Sequence, residues 1–309
     1  MAFMYKDYLE NMGERLKGKN ILVTGSGRGF GRSMAVAYAS EGSHVIVTAR
    51  NTSELKKTEY YINNAGGEAS TIPCDLSRDE SLLELVRNVE ELGGIDVLVN
   101  NAATCSWLTI EDMTKYNWDK TMSVNLRAPF ILSLLFYREM SSRGGGSIIN
   151  ISSSSAQKGF IAELAYCSSK YGLEGLTQCL ALELKNYNIA VNSLNVGSPP
   201  GYRLKPTSLS EEAASKMPEE IINRYAPVDL MVQHFTNAWT FLALQKGNGI
   251  TGQRFNSREL SEMLMALGEE EVLKRYHGKL LESVYKPIKF PEKLKYQTPD
   301  GGWNEIWFI

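Results

Sequence analysis

The sequence predicts an α/β protein whose core is a single doubly wound parallel sheet with helices on both faces. Three observations predict it. Short β-branched runs alternate with helix-period segments, and parallel strands joined by helical crossovers are the arrangement that accommodates this order. A glycine-rich turn, Thr24-Gly25-Ser26-Gly27-Arg28-Gly29-Phe30-Gly31, separates the first apolar run from the first helical segment. Polar and small residues gather just after the runs, where ligands bind in such sheets.

The elements follow in order. Asn20 to Thr24 reads as the first buried strand, and Met34 to Ala39 lies in the helix behind the glycine turn. His44 to Ala49, Ala69 to Cys74, Ile95 to Asn100, Ser147 to Ser152 and Ile189 to Asn195 read as the next five strands. After residue 198 the pattern breaks into a Ser- and Pro-rich stretch with a helix expected near Ser210, which reads as a substrate lid over residues 198–230. A helix from Val232 to Gln245 and a last strand in Gly-Ile-Thr-Gly-Gln-Arg-Phe complete the sheet. A further helix is expected through Glu-Glu-Glu-Val-Leu-Lys-Arg-Tyr and beyond, followed by an aromatic tail. The expected organisation is an N-terminal extension (1–17), one sheet domain (18–257) and a C-terminal extension (258–309) packed on the domain or on a neighbouring subunit.

Composition removes several function classes. The chain has 309 residues, 43% of them hydrophobic, and a net charge of −2, so no global charge draws it to nucleic acid or an anionic membrane. No signal-peptide core and no membrane-length apolar run is visible, and a cytoplasmic location is expected. Four scattered cysteines and three scattered histidines argue against a disulfide framework or a metal site.

The glycine turn suits a phosphate, because backbone N–H groups and the positive end of a helix dipole converge there. Tyr166 and Lys170, four apart on a helix, lie side by side. A phenol has a pKa near 10, and acid–base work near neutrality asks for a shift of about 3 units, about 4 kcal/mol. An ammonium at about 4 Å supplies that order of energy at an effective dielectric of about 20. Tyr116 with Lys120 and Tyr285 with Lys289 share the spacing, so the spacing alone is a weak signal. What separates Tyr166 is that it opens a helix soon after a strand ending at Ser153.

Taken in order, Thr24-Gly25-x-x-x-Gly29-x-Gly31, Asn100-Asn101-Ala102, Asn125 in Ser-Val-Asn-Leu, Ser153 and Tyr166-x-x-x-Lys170 give the chain its resemblance to the short-chain dehydrogenase/reductase family, from about Gly18 to Gly252. The resemblance implies a single-domain Rossmann fold and a nicotinamide-dependent oxidoreductase acting on a small-molecule carbonyl or alcohol, assembled as a homodimer or homotetramer. It implies that Tyr166 passes a proton to or from the substrate oxygen and that Ser153 hydrogen-bonds that oxygen. Lys170 would lower the phenol's pKa and bind the nicotinamide ribose, and Asn125 would hold a water linking Lys170 to solvent. The implied cofactor set is Gly25, Ser26, Arg28, Gly29, Phe30, Gly31, Arg50, Asp75, Leu76, Asn101, Ala102, Tyr166, Lys170 and Gly197. Asp75 would reach the adenine amino group and Asn101 would line the adenosine ribose.

The second strand ends in Ala49-Arg50 rather than in an acid, and Arg28 stands in the glycine turn. Guanidinium groups suit a 2′-phosphate, so NADP(H) is expected over NAD(H). The chain departs from the family pattern at Ala103, Val196 and Gly201, where Gly, Pro and Thr are usual, and these changes touch the expected nicotinamide contacts. Trp107, Phe160, Tyr202 and Arg203 are candidate walls of the substrate pocket. A catalytically silent NADP-binding regulator and a lyase or epimerase on the same scaffold are the alternatives.

Overall fold

The structure, a computed structural model, describes residues 13–64, 66–205, 216–281, 293–298 and 302–307. Seven strands form one parallel sheet: β1 (Asn20–Thr24), β2 (His44–Thr48), β3 (Glu68–Thr71), β4 (Val97–Asn100), β5 (Gly146–Ser152), β6 (Ile189–Asn195) and β7 (Arg254–Asn256). Their spatial order is β3-β2-β1-β4-β5-β6-β7. The order reverses between β1 and β4, and the crevice at their carboxyl ends is the expected ligand position.

The central strands β1, β4, β5 and β6 are almost wholly buried because both faces of the sheet are covered, whereas the edge strand β3 is polar and partly exposed. Ile21 and Val23 of β1 join one core cluster while Leu22 joins the other, and Val97, Val99 and Leu98 of β4 divide in the same way. One face is covered by α1 (Gly29–Ser40), α2 (Thr52–Asn64) and α8 (Val228–Ala243), which supply Met34, Leu55 and Trp239. The other is covered by α3 (Asp79–Glu91), α5 (Ala128–Ser142) and α6 (Leu164–Leu184), which supply Leu85, Phe136 and Ala181. Helix α4 (Lys115–Met122) runs into α5 through one π-helical turn, Ser123–Arg127, and the short α7 (Glu219–Ile222) precedes α8.

Several boundaries differ from the sequence reading. Strand β3 stops at Thr71, although Cys74 N still donates to Ala49 O at 3.0 Å, because Pro73 has no N–H to continue the ladder. Helix α8 begins at Val228, four residues early, behind Pro227. The expected helix near Ser210 and the pair Tyr285 and Lys289 lie outside the described residues.

After β7 come two helices, α9 (Ser257–Leu267) and α10 (Glu269–Tyr276). Leu260, Leu264 and Val272 from these helices pack into the same core as Trp239. Asn256 caps α9 by accepting from Arg258 N and Glu259 N, a signal the sequence reading did not use. The tail forms an antiparallel hairpin, β8 (Lys293–Gln297) with β9 (Trp303–Trp307), separate from the main sheet. Among the described residues, no helix is long and apolar enough to cross a membrane, and no metal-ligand cluster occurs. The four cysteines are free.

Tyr38 of α1 is fully buried, and its hydroxyl has no hydrogen-bond partner among the described residues. A buried hydroxyl without a partner costs stability. Tyr38→Phe is therefore expected to raise unfolding stability by about 1 kcal/mol in urea melts, and a loss of stability would show that the hydroxyl is satisfied.

Candidate active site

The site begins where β1 ends. Thr24 Oγ1 donates to Val99 O at 3.2 Å and accepts from Asn101 N and Ala102 N, each at 3.0 Å. Asn101 Nδ2 donates to Thr24 O at 2.7 Å. These bonds clamp the β1 turn to the loop after β4. The approach is so close that a Cβ on Gly31 would lie 2.4 Å from both Gly25 O and Asn101 Nδ2, and Gly25 has φ +67°. Only glycine fits both positions. Helix α1 starts at Gly29 with no side chain capping its first N–H groups. Together, the uncapped helix start and the glycine cradle fit the pyrophosphate of a dinucleotide.

One cavity of about 1630 Å³ runs from this turn across the carboxyl edge of the sheet. It is lined by Gly25, Arg28, Gly29, Phe30, Gly31, Arg50, Asp75, Leu76, Asn101 and Ala102 at one end. Ser153, Tyr166 and Lys170 stand further along, with Trp107, Phe160, Tyr202 and Arg203. Three sequence candidates do not line it: Ser26, Asn125 and Gly197. The Ser26 hydroxyl is turned inward, donating to Val23 O at 2.8 Å and accepting from Thr48 N at 2.9 Å. Gly197 is buried against Asn256 and Arg258, where an added Cβ would lie 3.0 Å from Asn256 Oδ1.

At the turn end, Arg28 Nη1 pairs with Glu54 Oε1 at 3.2 Å, and Arg50 is exposed at the rim. Glu54 and Lys57, from α2, were not foreseen in the sequence. They reach the cavity because α2 runs back along β2. Burial pushes the Asp75 carboxyl up, but the Ser77 hydrogen bonds and the Arg50 and Arg78 charges outweigh it and leave the group below its usual range.

At the other end, helix α6 sets Tyr166 and Lys170 on one face, and Lys170 Nζ lies 5.6 Å from the phenol ring centroid. Lys170 is only 1% exposed, and its Nζ donates to Ile151 O of β5 at 2.7 Å. Burial pushes its pKa down to about 8, with the Glu174 carboxylate pulling it back up. Burial also pushes the Tyr166 phenol well above the ordinary tyrosine range, against a downward pull from its hydrogen bond with Ser153. This differs from the expectation that the ammonium brings the phenol toward neutrality. Desolvation acts on both groups and favours the uncharged form of each.

Arg254 Nη2 donates to Ser153 O at 2.8 Å and Arg254 Nε pairs with Glu174 at 3.5 Å, so the backbone of Ser153 is held from β7. Asn125 stands in the π turn, 1% exposed. Its Oδ1 accepts from Thr104 N at 2.8 Å, and its Nδ2 donates to Thr104 O and Ser169 Oγ, each at 3.0 Å. The Asn125 side chain thus ties the loop after β4 to α6. The sequence reading did not single out Glu163, buried at the cavity wall, nor, within the tail that it expected to shape the pocket or a subunit contact, Lys295, Tyr296 and Trp303, which line the cavity too. Their nearness to the site depends on how the chain returns, which local pattern does not encode.

A lysine whose folded pKa is about 8 holds fewer protons than the unfolded chain between pH 8 and about 10.5. Raising pH through that window therefore stabilises the fold, and the contribution disappears as pH falls through 8. The raised phenol of Tyr166 opposes this only above about pH 10. Wild-type stability is expected to gain about 2 kcal/mol between pH 8 and 10 relative to Lys170→Met, measured by urea unfolding. Parallel pH curves for the two proteins would contradict the depressed pKa.

Comparison with known proteins agrees with this architecture. The short chain dehydrogenase family pattern matches residues 19–199. The chain is 36% identical over 209 residues to the 2-dehydro-3-deoxy-D-gluconate 5-dehydrogenase of Bacillus subtilis, covering 68% of this chain and 80% of that one. It is 33% identical over 244 residues to the 3-oxoacyl-[acyl-carrier-protein] reductase of Aquifex aeolicus, covering 77% and 95%. Among solved structures, a metagenomic short-chain oxidoreductase in complex with NADP superposes with a TM-score of 0.58 at 35% identity, covering 61% of this chain and 86% of that one. With the matched span running from β1 past β6, the chain belongs to the short-chain dehydrogenase/reductase family of oxidoreductases.

Proposed function

We propose that the protein is an NADP(H)-dependent oxidoreductase that moves a hydride between nicotinamide and a small ketone or secondary alcohol, with Tyr166 as acid and base. The observation that carries this reading is that Tyr166, Ser153 and buried Lys170 line the same cavity as the glycine cradle.

The N–H groups at the start of α1 hold the pyrophosphate, with Gly25 and Gly31 admitting it. Arg28 and Arg50 would hold the 2′-phosphate, Asp75 and Leu76 the adenine, and Asn101 and Ala102 the adenosine ribose. A relative solved with NADP is in keeping with this preference. Glu54 opposes it in part by pairing with Arg28, which leaves Arg50 as the deciding cation. Lys170 binds the nicotinamide ribose. The bound nicotinamide supplies or accepts the hydride.

In the reducing direction, the Tyr166 hydroxyl gives its proton to the substrate oxygen, and burial favours the protonated phenol this requires. Ser153 donates a hydrogen bond to the same oxygen. In the oxidising direction, the Tyr166 oxygen takes the proton back. Asn125 acts through position, fixing the loop after β4 against α6. Trp107, Phe160 and Tyr202, with Arg203, are the aromatic wall assigned to the substrate, and Tyr296 and Trp303 of the tail hairpin add aromatic lining to the same cavity. Such a wall favours a substrate with apolar surface.

Tyr166→Phe is expected to lower kcat with NADPH and a carbonyl substrate by about 10²- to 10⁴-fold. NADPH affinity, read by fluorescence titration, should change less than about threefold; turnover close to wild type would contradict the assignment. Arg50→Asp is expected to weaken NADPH binding by at least about tenfold while leaving NADH binding nearly unchanged. Equal losses for the two cofactors would contradict the 2′-phosphate role.

A further inference from the structure

A chain of hydrogen bonds leads away from Ser153, which lines the cavity together with Tyr166. Ser153 Oγ donates to Ser155 Oγ at 3.1 Å, and Ser155 Oγ donates to Glu163 Oε2 at 2.7 Å. Ser155 is 3% exposed and Glu163 is 9% exposed at the cavity wall. The polarity of this chain is set by counting hydrogens. Ser155 has one hydroxyl hydrogen and gives it to the carboxylate, so toward Ser153 it can only accept. The hydrogen of Ser153 is thereby drawn toward Ser155, while Ser153 Oγ accepts from Ser155 N at 3.2 Å.

We propose that Glu163 is a positioning residue: its carboxyl, acting through Ser155, sets which way the Ser153 hydroxyl presents its hydrogen. This rests on the oxidoreductase reading above. With Glu163 ionised, the Ser153 hydrogen points away from the substrate oxygen. With Glu163 protonated, the carboxyl donates to Ser155, Ser155 donates to Ser153, and the Ser153 hydrogen is released toward the substrate carbonyl. Carbonyl reduction is thus favoured by the protonated carboxyl.

The surroundings allow that protonation. Burial pushes the Glu163 carboxyl up, against the hydrogen bonds from Ser155 and Cys167. The titratable groups around it are Tyr166 and Cys167 of its own helix and Cys105 of the loop after β4. Among the described residues, no cation is among the groups that act on it. Glu163 follows Ala162, which is held at φ +63°, a left-handed conformation that costs an alanine energy and turns the chain into α6.

The test uses the full-length protein, NADPH and whichever carbonyl of a ketone and aldehyde panel it reduces fastest, with kcat/KM measured from about pH 5 to 9. Wild-type reduction should fall as pH rises through the Glu163 ionisation. Glu163→Gln, whose amide can donate to Ser155 at every pH, should keep the wild-type low-pH rate within about threefold and lose that limb. A limb at the wild-type Glu163 midpoint that persists in Glu163→Gln, distinct from the Lys170 ionisation near pH 8 common to both proteins, or a uniform loss at every pH, overturns the proposal. A second arm needs no turnover. The carboxyl stretch that vanishes from the infrared spectrum in Glu163→Gln should titrate at higher pH in Ser155→Ala, and an unmoved midpoint also overturns the proposal. Absence of any wild-type turnover, by contrast, overturns the oxidoreductase reading itself and this proposal with it.

Discussion

The site depends on one constraint: a lysine buried to 1% exposure, one helical turn from a tyrosine, at the carboxyl end of β5. Burying an ammonium is costly unless its protons find acceptors. Here Ile151 O takes one hydrogen bond and the Glu174 carboxylate adds a favourable charge interaction. Both require α6 to lie directly against β5 and β6. Glu174 accepts from Ser152 Oγ and from Ser193 Oγ, so the carboxylate that acts on Lys170 is itself fastened to two strands. Packing of the helix and placement of the chemistry are the same event. On its other side α6 lies close to the π turn, where a Cβ on Gly172 would come within 2.8 Å of Leu126.

A comparison inside the molecule shows why spacing alone says little. Tyr116 and Lys120 have the same four-residue offset, and Lys120 Nζ lies 5.6 Å from its ring centroid, the same distance as in the buried pair. Tyr116 is 69% exposed. Water reaches and solvates the exposed Tyr116 phenol. What differs at Tyr166 is desolvation, together with a second hydroxyl, Ser153, brought to the phenol by a different strand.

Much of the sheet was legible because parallel strands covered on both faces tend to be apolar at successive positions, as Ile21 to Val23 of β1, Val97 to Val99 of β4 and Ile189 to Val191 of β6 are. The glycine turn was legible because close approach of backbone to backbone admits no Cβ at Gly31. Tyr166, Ser153 and Lys170 were found from motif order, and the fold brings them to one cavity. Ser26 and Gly197 sit in the expected segments but face inward, since sequence offset does not reveal which side of a turn a residue occupies. Glu54 and Glu163 were missed for a related reason. Each is an ordinary acid on a helix until the chain returns it beside Arg28 or Ser155. The tail hairpin was not read as strands because it forms a separate two-stranded sheet with exposed Trp303 and Trp307, without the buried apolar run that marks the strands of the main sheet.

The central claim, hydride exchange at a carbonyl carbon with Tyr166 handling the proton, is tested most directly by following isotopes. NADPH deuterated at the transferable C4 position would be supplied with a ketone in ordinary water, and the product examined by mass spectrometry. The account predicts one deuterium bound to the former carbonyl carbon and a hydroxyl hydrogen drawn from solvent. A product lacking that deuterium, or a ketone left unchanged while NADPH binds tightly, would contradict it.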